Sequence, residues 1–111
     1  MKTIKFCILA ILAFTITSVS FAQGALKTES LKVGGNCETC EVRIEKAAKI
    51  PGVTKADWST KTKVLTVTYD PKKATSDVIQ KNIAAAGHDT PKYKASDKVY
   101  NALPACCKYR K

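Results

Sequence analysis

Nowhere does this 111-residue sequence run to the roughly twenty predominantly apolar residues that a bilayer-spanning helix needs. Its longest unbroken apolar run, Phe6 to Phe14, gives way to Thr15, Thr17, Ser18 and Ser20. A membrane anchor is therefore disfavoured. With Lys2 and Lys5 ahead of the run and Ser20-Phe21-Ala22 before Gln23, residues 1–22 read as a secretory signal peptide cleaved after Ala22. The expected location is periplasmic or secreted, and Cys7 is discarded with the signal. Acidic residues are scarce too, 9 against 19 Lys and Arg, for a formal charge of +10. Removal of Lys2 and Lys5 leaves Gln23–Lys111 distinctly basic, a balance that steers toward nucleic acid, anionic membrane or an acidic protein. Missing, however, is any basic run interleaved with aromatics: Lys46, Lys49, Lys55, Lys61, Lys63, Lys72, Lys73 and Lys81 are scattered. A nucleic-acid partner is not expected, and a solvated basic surface is. Gln23–Lys111 suffices for one compact domain with a modest core and is too short for two.

What is present is Val33-Gly34-Gly35-Asn36-Cys37-Glu38-Thr39-Cys40, a strand end, a glycine turn and two cysteines three apart. Thiolates bind metal, and they form more easily where backbone N–H groups and a helix dipole present positive charge. A helix is expected from Glu38 to Ile50, with Cys40, Ile44, Ala47 and Ala48 at three-and-four spacing and Pro51-Gly52 as its stop. Cys37 then stands where the helix begins, and both sulfurs converge on one ion. Their softness selects Cu(I), zinc or another thiophilic metal over magnesium or calcium. The motif by itself equally permits a disulfide or a redox dithiol. No cation stands between the cysteines to depress a thiol, and the aromatic-Cys-Gly-Pro-Cys setting of thioredoxin-like folds is absent. A disulfide closing so short a loop would stabilise little. A reversible pair, metal-bound when reduced, is the better account.

Short segments of alternating and helical periodicity follow one another. Ser30–Val33 reads as a strand with Leu31 and Val33 inward, and Val53–Trp58 as a second with Ala56 and Trp58 inward. Leu65, Val67 and Tyr69 alternate with Thr66 and Thr68 in a third, Val64–Tyr69, paired with the second as a hairpin. Thr75 caps a second helix with Val78, Ile79, Ile83 and Ala86 as its apolar stripe and Gly87 as its end. His88–Tyr93 completes the series as a fourth strand. The order is that of an α+β, ferredoxin-like βαββαβ sandwich, a four-stranded antiparallel sheet with two helices on one face.

Three motifs in that frame, Cys37-Glu38-Thr39-Cys40, Pro51-Gly52-Val53 and Ala85-Ala86-Gly87-His88-Asp89, make the chain resemble the heavy-metal-associated domain family over Ser30 to Tyr93. That family comprises copper metallochaperones, metal-binding domains of copper-pumping ATPases and exported mercury-binding proteins. The resemblance implies a metal site at Cys37 and Cys40, with no catalysis, and an ion passed by thiolate ligand exchange to a metal-transporting ATPase or an efflux or uptake membrane protein. Gly34-Gly35-Asn36 stands where the family usually has Gly-Met-x. Without the methionine that packs under the site, a loop tethered by fewer apolar contacts is expected. His88 stands at the family's Tyr or Phe position, a candidate third ligand.

Residues 23–29 are read as a flexible N-terminus, 30–93 as the domain and 94–111 as a Cys-containing C-terminal extension. In the extension Ser96 caps a short helix, Asp97 to Leu103, and Cys106-Cys107 precede Lys108-Tyr109-Arg110-Lys111. Cys106 lies twelve positions beyond Lys94, ample reach back to Cys37 and Cys40 at about 3.3 Å per extended residue. The candidate metal ligands are thus Cys37, Cys40, His88, Cys106 and Cys107. The expected cargo is Cu(I), with Hg(II) or Zn(II) as alternatives, and a metal-bridged homodimer is a further arrangement the tail thiols permit.

Overall fold

The structure is a computed structural model that describes residues 25–110. The expected signal peptide and Cys7 lie outside the described residues.

Strand β1 covers Lys27–Lys32. It begins inside the stretch expected to be flexible, because its ladder with the third strand runs on to Lys27↔Tyr69 and Thr28↔Thr68, with the two threonine hydroxyls 3.0 Å apart. Helix α1 follows at Glu38–Ala48 and buries Cys40, Ile44 and Ala48. Glu38 and Glu41 in its first turn and Lys46 in its last complement the helix dipole. It stops short of Ile50, where the Pro51-Gly52 turn feeds β2, Val53–Trp58. Strand β3, Val64–Tyr69, buries alternate residues Leu65, Val67 and Tyr69 as the sequence predicts. Helix α2, Ser76–Ala85, starts on Thr75, whose hydroxyl accepts from the Val78 N–H. Its buried stripe is Ile79, Gln80, Ile83 and Ala84, while Val78, expected inward, is 49% exposed.

The sheet order is β1-β3-β2, both pairs antiparallel. Helix α1 packs against α2 and β2. Between helices and sheet lie Leu31, Val33, Cys40, Ile44, Trp58, Leu65, Val67, Ile79 and Ile83. Trp58 and Tyr69 are core residues, as their strand faces require.

The fourth strand expected at residues 88–93 does not form: that stretch is a loop, and the sheet among the described residues has three strands. Its backbone and side chains bond locally and to α2. The Thr90 N–H donates to Tyr93 O at 2.7 Å, the Tyr93 N–H to Thr90 Oγ1 at 2.9 Å, and the Lys92 N–H to Gln80 Oε1 at 3.0 Å. Pro91 has no N–H for a ladder. One backbone bond, Gly34 N–H to Asp89 O at 2.9 Å, ties the loop beside the end of β1.

Beyond the loop, Ser96 caps helix α3, Asp97–Asn101, two residues shorter than expected, and Ala105–Cys107 form one 3-10 turn. Tyr100, Leu103 and Cys107 join the core cluster. Gly87, at φ 109°, ends α2 in the left-handed region, and a Cβ there would drive into the Leu103 side chain.

Candidate metal centre

The loop from Val33 to Cys37 is tethered on several sides. Val33 donates its N–H to Lys63 O, and the Trp58 indole N–H donates to Val33 O at 3.0 Å. Gly35 is buried and lies so close over the Trp58 ring and the Cys40 Cβ that a side chain at 35 would touch both at about 3.0–3.1 Å. Trp58 thus packs directly against the loop at Gly35. The expectation of a poorly tethered loop is corrected by this indole, and by Tyr109, whose ring lies against Gly34.

Cys37 is the N-cap of α1, with extended backbone dihedrals, and as a thiol it makes no cap bond. The Cys40 N–H does most to lower its pKa, to about 6, with help from the Cys106 thiol and the Thr39 N–H against a smaller opposing effect of burial. These are the unpaired N–H groups of a helix's first turn, and a thiolate is the form of Cys37 they favour. Cys40 is fully buried, its sulfur 3.7 Å from that of Cys37 and accepting from the Asn36 N–H at 3.3 Å.

The tail closes the arrangement. Cys37, Cys40 and Cys107 place their sulfurs within 4.8 Å of one another, the grouping of metal-ligating side chains found among the described residues. Cys107 is fully buried, and burial first, then the Cys40 and Cys106 thiols, push its thiol above the ordinary range. Cys106 is exposed; its carbonyl accepts from the Cys37 thiol at 3.4 Å. Asn36 reaches the same segment, its amide donating to Lys108 O at 3.0 Å.

His88 stands outside this group of three. It is fully buried, with Nδ1 2.8 Å from Gly34 O, so Nδ1 carries the proton and Nε2 is left bare, buried and without a partner. Burial, and then the Arg43 charge, hold its pKa below the ordinary imidazole value. Its ring stacks on Tyr109, centroids 5.8 Å apart. Of the five candidate ligands, then, three converge, Cys106 contributes backbone, and His88 supports the Gly34 turn.

Sequence reasoning did not reach the residues that hold the tail in place. The Tyr109 hydroxyl donates to Gly87 O at 2.9 Å and accepts from the Asp89 N–H at 2.7 Å. Arg110 grips Asp89 through two N–H bonds, 3.1 and 2.7 Å, and bonds Ala95 O and Asp97 as well. Burial opposes ionisation of Asp89, but Arg110 and the Ala95 N–H outweigh it and hold the carboxyl below its usual range. An Asp and an Arg twenty-one residues apart carry no periodic signal that would announce this pair.

The geometry can therefore present a soft cation with two cysteine sulfurs at a helix N-terminus and a third from the tail. Comparison with known proteins bears on the same stretch. The heavy-metal-associated domain model matches residues 18–89. The mercuric transport protein periplasmic component of Shewanella putrefaciens is 40% identical over 77 residues, 68% of this chain and 84% of that protein. The zinc-transporting ATPase of Synechocystis sp. is 41% identical over 73 residues, 64% of this chain; the match spans only 10% of the ATPase. Among solved structures, a copper-binding domain from a P-type ATPase superposes with a TM-score of 0.55 at 26% identity, covering 57% of this chain and 88% of that domain.

Proposed function

The chain belongs to the heavy-metal-associated domain family, and on that premise we propose that it is an exported carrier of a soft metal ion, Cu(I) first, held by Cys37 and Cys40. One observation carries the reading: at the start of α1 the Cys37 and Cys40 sulfurs stand 3.7 Å apart, Cys37 partly open to solvent and its pKa lowered by first-turn N–H groups. A thiolate of that kind binds a thiophilic ion and admits an incoming one. Transfer proceeds by exchange, a partner thiolate adding before an outgoing one leaves, and the partner is a metal-transporting ATPase or another efflux or uptake membrane protein. No catalytic step is needed. Export rests on the sequence of residues 1–22, with cleavage after Ala22.

Mercury is the second reading, favoured by the periplasmic mercuric transport component that this chain matches over 84% of its length. Zinc, bound to four ligands in most structural sites, is served less well by three cysteines. The test is a Cu(I) titration, anaerobic and against a competing chromophoric chelator, of reduced protein recovered from the cell envelope. Its intact mass reads whether the chain begins at Gln23. One tightly held ion per chain is expected, lost when Cys37 and Cys40 are both changed to Ser. Uptake of Hg(II) but not Cu(I) moves the reading to mercury; no difference between the variant and the parent would sink it.

A further inference from the structure

The C-terminal segment is not a bystander at the cysteine pair. It runs from α3 through the 3-10 turn at Ala105–Cys107 and is docked by Tyr109 and Arg110 onto the Gly34 and Asp89 loops. The docking sets one of its two adjacent cysteines inward and the other outward: Cys107 is fully buried and Cys106 exposed. A fully buried thiol whose sulfur lies within 4.8 Å of two others, both at the start of α1, completes a three-sulfur group that packing alone does not require. An isosteric apolar side chain would fill the same space without a titratable group.

We infer that Cys107 is the third thiolate of a three-sulfur Cu(I) site with Cys37 and Cys40, and that metal loading fastens the C-terminal segment over the site as a strap. The inference rests on the carrier reading and deepens it. On binding, each ligating sulfur forms one metal–sulfur bond, and each that is still a thiol gives its proton to water; no electron is transferred and no oxidant is required. Cys106 is not a ligand, since it is exposed and its sulfur stands outside the group of three. Neither is His88, whose ring nitrogens lie outside the group of three sulfurs. An acceptor thiolate takes the ion by replacing Cys107 first, because that ligand sits on a segment that can lift when Tyr109 and Arg110 let go. Cys37 and Cys40 are fixed to the start of α1.

X-ray absorption at the copper edge of Cu(I)-loaded wild-type protein counts the sulfurs directly, without any variant. Three are expected, falling to two in Cys107→Ser and staying three in Cys106→Ser. Cu(I) affinity should drop at least about tenfold in Cys107→Ser and hold in Cys106→Ser. Trypsin cleavage after Lys108 should slow on Cu(I) loading of the wild type and not of Cys107→Ser. Should Cys107→Ser fail to fold, Cys107→Ala with the wild-type sulfur count decides. Two sulfurs in the wild type, or four, overturns the three-thiolate site; two with tight binding intact leaves the carrier reading standing, whereas loss of all Cu(I) uptake by the wild type removes both.

Discussion

The βαββα body and the C-terminal segment are held by different forces. The body buries Ile44, Leu65, Val67, Ile79 and Ile83 completely between helices and sheet, so its stability is mainly apolar burial spread over many contacts. The segment adds Tyr100, Leu103 and Cys107 to that core, but its position depends on a few polar groups: the Tyr109 hydroxyl between Gly87 and Asp89, and Arg110 on Asp89, Ala95 and Asp97. Apolar packing is forgiving of direction, whereas hydrogen bonds are not. One region is therefore stable by sum and the other placed by geometry. The three-cysteine group lies where they meet, with Cys37 and Cys40 on the body and Cys107 on the segment.

Three perturbations should separate the regions. Leu65→Ala, which empties a fully buried position facing Leu31 and Trp58 across the sheet, should cost about 2–5 kcal/mol and unfold both regions together. A denaturant midpoint read by tryptophan emission and by protection of tail amides should shift equally in both probes; a shift in one alone would contradict the dependence of the segment on the body. Arg110→Ala should act oppositely. It removes a half-buried ion pair and the bonds to Ala95, a loss of about 1–2 kcal/mol confined to the segment. Amide exchange should accelerate at residues 105–110 while the β-strand amides keep their protection.

Acid provides the mildest version. The folded pKa of Asp89 lies below its unfolded value, so its contribution is complete above the unfolded carboxylate range near ~4 and is lost as pH falls through the lower folded value. Tail exchange should rise on acidification below about pH 4, before the body opens. In Asp89→Asn the rise should vanish, since the segment is already loosened at neutral pH.

Much of the body was legible in the sequence because its periodicities are local. The alternation of Leu65, Val67 and Tyr69, the cap at Thr75 and the spacing of Cys40, Ile44 and Ala48 each follow from a few neighbouring residues, and the strands and helices formed there. Where a local pattern was weak, the reading failed. Residues 88–93 have strand-like composition, yet Thr90, Tyr93 and Gln80 bind the backbone groups a fourth strand would have used. Val78 satisfied the helical spacing but fell outside the stripe, which Gln80 entered because its amide ties Ser76 to the Lys92 backbone. The five candidate ligands were likewise identified by type and not by place.

By itself the sequence determined the cysteine pair at the start of a helix, because a thiolate's chemistry and an N-cap's position both depend on residues 37 to 40 alone. It determined the inward faces of β2 and β3 for the same reason, a period of two read over six residues. Only the tertiary structure decided that Cys107 joins the pair while Cys106 and His88 do not. That choice hangs on contacts between residues far apart in the chain, Tyr109 with Gly87 and Arg110 with Asp89, which rotate one of two adjacent thiols inward. No local pattern encodes a rotation that distant partners impose.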